Sequence, residues 1–149
     1  VSLAEPHPAR RATAAAAAGA EPLDPDEDAG RGGGGALPQD VDLVIDGVGI
    51  DATRRAASAA VRPGGVIMHI GLGAGSGGLD VRRMTLQEIA FIGTYTYTAQ
   101  DFRDTAAAIF DGRLGALDWA EERALAEGAG AFDDIAAGRA AAPKIVLTP

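Results

Sequence analysis

Cysteine is absent from this sequence. Its absence excludes disulfide bonds, thiolate zinc ligands and thiol nucleophiles from these 149 residues. The histidines and carboxylates do not cluster at the spacing of metal ligands, and no serine, histidine and aspartate are grouped as a hydrolytic triad requires. We therefore predict no catalytic residue and no metal ligand in this chain.

A basic stripe and a long apolar run are also lacking. The sequence has 13 lysines and arginines against 21 aspartates and glutamates, which gives a net charge of −8. Such a chain is not expected to bind nucleic acid. No apolar stretch approaches the length of a membrane span, and the amino terminus lacks the charged-then-apolar pattern of a secretion signal. We therefore expect no membrane contact and a cytoplasmic location.

Aromatic residues are few, at 5%, although hydrophobic residues make up 47% of the sequence. Much of that hydrophobic content is alanine, and 21 residues are glycine. Alanine-rich helices are thin and pack close to a sheet, which is typical of layered α/β folds. The length is enough for one domain with a buried core.

The segment Val41–Leu72 carries the clearest pattern. An apolar run rich in branched residues, too short for a helix, is formed by Val41, Leu43, Val44 and Ile45, and Val66–Ile70 is a second buried strand. Between them we predict a helix that Asp51 caps and that the Pro-Gly-Gly stretch at residues 63–65 ends. Two strands joined by one helix imply a right-handed parallel crossover, so ligands should bind beyond the carboxyl ends of the strands.

The predicted helix has alanines at helical spacing and arginines elsewhere. The alanines are Ala52, Ala56, Ala59 and Ala60, and Arg54, Arg55 and Arg62 are expected on other faces.

The rest of the chain alternates strand and helix signals. Before the central segment we predict a strand ending at residues 1–4, a helix over Ala9–Ala18 and at most a short strand over residues 20–23. After it we predict an irregular connector over Leu79–Thr85, a strand over Glu88–Thr96 and a helix that Thr98 caps and Gly112 ends, with an apolar stripe of Phe102, Ala106, Ile109 and Phe110. The last elements are a short strand within Leu117–Leu125, a helix striped by Ala129, Phe132, Ile135 and Ala136, and a strand over Lys144–Thr148.

Asp24–Asp40 is first acidic and then rich in glycine, which predicts a mobile loop. The alternative is a phosphate-binding role for Gly32–Gly35. Glycine-rich phosphate loops need a strand before them and a helix after them, whereas Pro38 and a strand follow here, so the loop interpretation is favoured.

Glu5 is the first candidate binding residue, because it lies where a strand ends and a helix begins. Its two carboxylate oxygens can accept both hydroxyl protons of an adenosine ribose, and its charge would repel a 2′-phosphate. Glu5 therefore predicts NAD rather than NADP, with Arg10 five residues later. The alternative is a solvated carboxylate in a turn.

Two groups of residues are candidates at the carboxyl ends of the strands. Gly47, Val48 and Gly49 would let a flat adenine or ribose approach the backbone, unless they merely form a tight turn. Ile70, Gly71 and Leu72 can offer backbone groups to a nicotinamide carboxamide. Another strand ends at the same edge with Thr94, Tyr95, Thr96 and Tyr97, which can orient a cofactor or simply alternate into solvent. His69 lies in a buried strand, and we interpret it as a hydrogen-bonded core or face residue rather than a catalyst.

Several of these segments, taken in order, resemble the medium-chain dehydrogenase/reductase family, the zinc-type alcohol, sorbitol and threonine dehydrogenases. The resembling stretches are Glu5-Pro6-His7-Pro8-Ala9-Arg10-Arg11, Asp42-Leu43-Val44-Ile45-Asp46-Gly47-Val48-Gly49, Arg62-Pro63-Gly64-Gly65, Phe91-Ile92-Gly93-Thr94-Tyr95 and the closing Glu127–Val146. Each motif is weak alone, but together they occur in the family's order and spacing.

The resemblance implies an α/β fold with a Rossmann-like parallel sheet and helices on both faces, lacking the first strand and the glycine-rich turn. Residues 1–125 would form a partial NAD-binding domain, with residues 24–40 as a flexible loop. Residues 126–149 would form a helix and a strand that return to the catalytic domain. Glu5 would bind the adenosine ribose with support from Arg10, and Val48 would line the adenine side. Residues near the nicotinamide half would be Ile70, Gly71, Leu72, Thr94 and Tyr95.

We therefore expect the carboxyl-terminal nucleotide-binding portion of a zinc-dependent, NAD-linked alcohol or polyol dehydrogenase. By the resemblance it would be a homo-oligomer acting on small alcohols. Zinc would belong to the missing catalytic domain, so the isolated chain should be inactive. Two alternatives remain open: a non-catalytic nucleotide-binding or interaction module completed by a partner or by dimerisation, and a methyltransferase-like fold in which the acidic residue holds the ribose of S-adenosylmethionine.

Overall fold

The computed structural model describes residues 1–26 and 37–149. They form two compact units: a terminal unit of residues 1–26 with 99–149, and a central unit of residues 37–98. Most of the predicted loop Asp24–Asp40, including Gly32–Gly35, lies outside the described residues. No helix among the described residues is long and apolar enough to cross a membrane.

The central unit is built on a parallel sheet of three strands. Strand β3 (Val41–Asp46) pairs with β4 (Val61–His69), which pairs in turn with β5 (Ala90–Gly93). Helix α2 (Asp51–Ala60) connects β3 to β4, and the short helix α3 (Val81–Leu86) precedes β5. The sheet order is therefore that of two successive parallel crossovers, as the pattern of Val41–Leu72 predicts for the first of them.

The core of the central unit lies between α2, α3 and one face of the sheet. Val61 and Ile67 are completely buried, and Ala57 and Ile89 complete the cluster. Val44 and Met84 pack against its rim. Val44, Ile67 and Phe91 occupy paired positions on the three strands, so this face of the sheet is the one that turns to the helices.

Helix α2 buries a different face from the one its alanines predict. Its buried residues are Arg54, Ala57, Ser58 and Ala60, whereas Ala52 and Ala59 are exposed. Arg54, Ala57 and Ser58, followed by Val61 at the start of β4, recur at helical spacing and form the inward stripe. The prediction that Arg54 lies away from the sheet is therefore wrong, because a stripe of alanines carries too little apolar area to decide which face is buried.

Strand β4 begins earlier than predicted. It starts at Val61, directly after α2, and pairs with Val41 there. The register then shifts, so that Leu43 faces Val66, and the intervening residues bulge out of the ladder. The exposed side chain of Arg62 in this bulge donates from Nε to Asp42 at 2.6 Å. The residues at 63–65 therefore lie within the strand and do not form a separate helix stop.

Two further predictions for the central unit are corrected. Ile50, not Asp51, is the N-cap residue of α2, and Asp51 is the first helical residue. The predicted irregular connector contains helix α3, which Asp80 caps by accepting from the backbone N–H of Arg83 at 2.8 Å. Arg83 in turn donates to the carbonyl oxygens of Ser58 and Val61, which fastens α3 to the end of α2.

The terminal unit contains two parallel strand pairs. Strand β1 (Ser2–Ala4) pairs with β2 (Glu21–Leu23), and helix α1 (Pro8–Ala18) connects them. Strand β6 (Ala120–Ala124) pairs with β7 (Lys144–Thr148). A 3-10 turn (Leu125–Glu127) and helix α5 (Gly128–Ala136) connect the second pair, and helix α4 (Ala99–Phe110) precedes it. These bounds confirm the strands and helices predicted here to within a few residues.

The apolar stripes predicted for α4 and α5 are largely exposed. Phe102, Ile109 and Phe110 of α4 and Phe132 and Ile135 of α5 stand among the exposed large hydrophobic residues. The buried residues of these helices are Ala108 and Ala131 instead. Among residues 1–26 and 37–149 all strand pairings are parallel and helices link the paired strands, so the predicted α/β class is confirmed.

Two glycines allow the turns after β3 and β4 to pack against each other. A Cβ atom on Gly71 would lie 2.2 Å from the carbonyl carbon of Val48, and one on Gly49 would lie 2.0 Å from the carbonyl oxygen of Gly71. Gly49 also has a φ of 74°, which strongly favours glycine. The glycines therefore close the carboxyl edge of the sheet by letting two backbones touch.

Gly71→Ala should lower the free energy of unfolding by about 2 kcal/mol, because the new methyl group meets backbone rather than a movable side chain. Gly47→Ala is the matched control, since a Cβ there meets nothing within 4 Å. Urea denaturation of both variants measures the difference. Equal midpoints for the two variants would contradict this account of the edge.

Candidate functional site

The candidate site lies where the three strands of the central unit end. Asp46 of β3 is paired with His69 of β4, which is paired with Gly93 of β5. The register therefore brings the three carboxyl ends into one row. Parallel α/β sheets bind ligands outside this edge.

Asp46 holds both of the turns that leave this row. Its Oδ1 accepts from the backbone N–H of Val48 at 3.0 Å and of Gly49 at 2.8 Å. Its backbone carbonyl accepts from the N–H groups of Ile70 at 2.9 Å and Gly71 at 3.0 Å. One residue that is only 5% exposed thus fixes the turn after its own strand and the turn after the neighbouring strand.

Asp46 also orients the start of α2. Its Oδ2 accepts from the hydroxyl of Thr53 at 2.9 Å, and that hydroxyl oxygen accepts from the backbone N–H of Ile50 at 3.1 Å. Burial acts to raise the pKa of Asp46, but the bonds from the Gly49 and Val48 N–H groups and the Thr53 hydroxyl outweigh it, and the pKa is lowered. The carboxylate is therefore ionised and serves as a structural anchor.

Arg54 is the second polar centre of the edge, and sequence reasoning missed it. The residue is only 6% exposed. Its Nη1 donates to the carbonyl of Gly49 at 2.8 Å, its Nη2 donates to Asp51 Oδ1 at 2.6 Å, and its Nε donates to the carbonyl of Gly77. A buried guanidinium needs such partners, because an unpaired buried charge is costly. Arg54 thus ties the glycine-rich segment after β4 to the turn after β3.

The residues predicted for the nicotinamide half largely come together in one shallow pocket. Its volume is about 180 Å³, and it is lined by His69, Ile70, Leu72, Gly93, Thr94 and Tyr95. The backbone N–H of Thr94 donates to the carbonyl of His69 at 2.9 Å, which joins the ends of β4 and β5. Exposed apolar side chains, Leu72 and Tyr95 above all, stand at its mouth. The pocket is suited to a flat, mostly apolar group that meets a few backbone polar atoms.

The other predicted residues of this unit do not line the pocket. Gly71 is buried behind it against Val48, and Gly47 and Val48 form the exposed turn after β3. The structure therefore separates a pocket between the ends of β4 and β5 from a flat glycine surface at the end of β3.

His69 lines the pocket floor, with a side chain 16% exposed. Its ring lies 5.3 Å from the ring of Phe91, tilted by 41°. The prediction of a hydrogen-bonded core or face residue stands, because Nε2 lies 3.5 Å from Arg54 Nη1. Asp46 Oδ2 lies 3.7 Å from Nε2, too far for a hydrogen bond. The only sequence signal for this cluster was a histidine in an otherwise apolar strand.

Glu5 and Arg10 form a pair in the terminal unit. Glu5 Oε1 accepts from Arg10 Nε at 3.3 Å and from the backbone N–H of His7 at 2.9 Å. Arg11, which was not predicted as important, donates to the carbonyl of Glu5 and contacts Asp24 Oδ2 at 2.9 Å. These contacts hold the half-buried Glu5 carboxylate at the end of β1, ahead of α1.

The described residues offer no set of ligands for zinc. No group of three or more histidine, aspartate or glutamate side chains among residues 1–26 and 37–149 is arranged to hold a metal ion, and the sequence has no cysteine. The donor set therefore does not fit a zinc site, and no chemical step is assigned to a metal here.

Comparison with known proteins gives one family and many similar folds. The family model described as "Zinc-binding dehydrogenase" matches residues 1–111. The search of curated proteins gives no match.

Solved structures with related folds include three dehydrogenases or reductases. The 2R,3R-butanediol dehydrogenase of Bacillus subtilis is 18% identical, with a TM-score of 0.77 over 98% of this chain and 42% of its own. The acetophenone reductase of Geotrichum candidum, solved with NAD, is 20% identical, with a TM-score of 0.76 over 100% of this chain and 41% of its own. A thermostable alcohol dehydrogenase of Pyrobaculum aerophilum with bound cobalt and zinc is 22% identical, with a TM-score of 0.72 over 98% of this chain and 41% of its own. The chain thus spans about two-fifths of the length of these proteins, and likeness at this identity shows the fold.

The lowered pKa of Asp46 predicts a specific acid sensitivity. The unfolded carboxyl, with a pKa near 3.8, binds protons more readily than the folded one. The stabilisation is therefore complete above that pH and is lost as the pH falls through the lower folded pKa. Asp46→Asn should cost about 2 kcal/mol of unfolding free energy near neutral pH, and the difference from the unaltered chain should shrink in acid.

Urea denaturation across the acidic range measures this difference. Asp133→Asn, which changes an exposed carboxylate of α5, serves as the control and should track the unaltered chain. A constant gap between Asp46→Asn and the unaltered chain at every pH would show that the ionised form is not what stabilises the edge.

Proposed function

Because the chain belongs to the zinc-binding dehydrogenase family, we propose that it is the carboxyl-terminal nucleotide-binding portion of a zinc-dependent, NAD-linked alcohol or polyol dehydrogenase. The single observation that carries this proposal is the pocket at the carboxyl ends of β4 and β5. Four of the five residues proposed for the nicotinamide half line it. The intact enzyme would act on small alcohols as a homo-oligomer in the cytoplasm.

The nicotinamide ring would lie in this pocket against Ile70, Leu72 and Tyr95. Burial of a flat ring against these apolar side chains supplies the affinity, and backbone groups at the strand ends orient the carboxamide. Gly71 supports the pocket from behind, because its close contact with Val48 prevents the turn from shifting. Thr94 keeps the ends of β4 and β5 together through its bond to the His69 carbonyl. The bound cofactor would supply the hydride acceptor in its oxidised form and the hydride donor in its reduced form.

The adenosine ribose would be bound by Glu5 in the terminal unit. Arg10 and the His7 N–H hold Oε1, so the carboxylate is oriented before the ligand arrives. An oriented carboxylate accepts both ribose hydroxyl protons and repels a 2′-phosphate, which favours NAD over NADP. Gly47 and Val48 in the central unit offer the exposed backbone surface proposed for the adenine side.

Isothermal calorimetry of this chain should show NAD binding more tightly than NADP. Glu5→Gln should weaken NAD binding about tenfold and narrow the preference over NADP, because the charge that holds the ribose and repels the phosphate is removed. Glu122→Gln, at an exposed position in β6, is the matched control and should bind as the unaltered chain does. Binding of S-adenosylmethionine in place of NAD would contradict the proposal and favour the methyltransferase-like alternative.

The chain alone should show no turnover with NAD, zinc and a panel of polyols. The expectation follows from the described residues, which provide no three-ligand group for zinc. NADH absorbance measures the outcome. If NADH forms faster with the chain than in a control that lacks the chain, the proposal that catalysis needs a separate zinc-binding part is wrong.

A further inference from the structure

The Arg54–His69 contact is not explained by the proposed function. His69 lines the pocket, and one of its ring nitrogens lies beside a buried cation. The distance from Nε2 to Arg54 Nη1 is 3.5 Å. A guanidinium donates only, and it is always charged. If this contact is a hydrogen bond, Nε2 must be the acceptor, and the neutral ring must carry its proton on Nδ1.

A competing arrangement would place the proton on Nε2, toward Asp46. The distance from Nε2 to Asp46 Oδ2 is 3.7 Å, which is beyond hydrogen-bond range, and Oδ2 already accepts from Thr53 at 2.9 Å. Arg54 is also fixed independently by its bonds to Gly49, Gly77 and Asp51. The guanidinium is therefore held rigidly in the place from which it donates to His69, and the Arg54 contact outweighs the Asp46 contact.

The remaining ring nitrogen is available to a ligand. Among the described residues, Nδ1 of His69 has no recorded hydrogen-bond partner, whereas the ring itself packs on Phe91 and lines the pocket. Ile70 and Leu72 give the pocket an apolar lining, so one donor beside them becomes a selector for a ligand with an acceptor oxygen.

We propose that Arg54 is a positioning residue that holds His69 in the Nδ1–H form, and that His69 Nδ1–H donates to the carboxamide oxygen of a nicotinamide nucleotide in this pocket. The identity of this ligand rests on the proposed function. The arrangement makes the pocket selective for a planar ring that bears an acceptor oxygen over the same ring without one.

The tautomer is measured without ligand, by ring nitrogen chemical shifts of the full chain at alkaline pH. The chain has two histidines, and His69→Phe identifies the signals of His69. We expect Nδ1–H in the unaltered chain and a shift toward Nε2–H in Arg54→Met, because Asp46 Oδ2 is then the nearest charged group. Arg55→Met, at an exposed position on the same helix, should leave the signals unchanged. If Arg54→Met does not fold, the tautomer of His69 in the unaltered chain still tests the proposal. Arg54→Lys, which keeps the charge but lacks the planar guanidinium, is then used in place of Arg54→Met.

Ligand selectivity is measured by calorimetry with nicotinamide mononucleotide and with its analogue that lacks the carboxamide. His69→Phe keeps a ring to pack on Phe91 and removes the donor, so it should weaken binding of nicotinamide mononucleotide by about two- to tenfold and leave the analogue unchanged. His69→Asn places an amide N–H near the position of Nδ1 and should restore part of the lost affinity.

The outcomes separate this proposal from the function on which it rests. An Nε2–H form in the unaltered chain overturns the proposal, and so does equal affinity of the unaltered chain and His69→Phe for nicotinamide mononucleotide. Failure of the unaltered chain to bind either NAD or the mononucleotide overturns the proposed function and the ligand named here, whatever tautomer is found.

Discussion

The buried carboxylate of Asp46 is the constraint on which the carboxyl edge of the central sheet depends. Through Oδ1 and its backbone carbonyl it binds four N–H groups that belong to the turns after β3 and β4. Backbone N–H groups at turns are obligatory donors, and a single ionised residue satisfies them here. The close approach of Gly49 and Gly71 is possible because these turns are held in register.

Arg54 extends this arrangement from the turns to the pocket. Asp46 anchors the turns from the strand side, and Arg54 anchors Gly49 and the Gly77 segment from the helix side. His69 lies against both groups and forms part of the pocket floor. The lining residues thus rest on a polar support of one buried anion and one buried cation, which keeps the strand ends rigid for a ligand.

Much of the fold was predictable because its signals are local. The apolar run Val41–Ile45 predicts a strand, and the structure has β3 there. The lysine at 144 begins the predicted last strand, and β7 has the predicted bounds. The burial of α2 was not predictable from alanine spacing, because small apolar side chains differ little in the area that they bury. Arg54 on α2 was predicted to lie on another face of the helix. Its partners could not be predicted from the sequence, because they lie in a turn and in a loop outside the helix.

The sequence by itself determined the parallel crossover, the edge at which a ligand is proposed to bind and the residues whose backbone lies there, because periodicity and glycine breaks act over a few residues. Only the tertiary structure decided which of those residues share a pocket. It placed Ile70, Leu72, Thr94 and Tyr95 together, placed Gly71 behind them and brought Arg54 to His69. Those relations depend on strand register and on hydrogen bonds between residues far apart in the chain. Neither can be predicted from the pattern of residues in a short stretch of sequence.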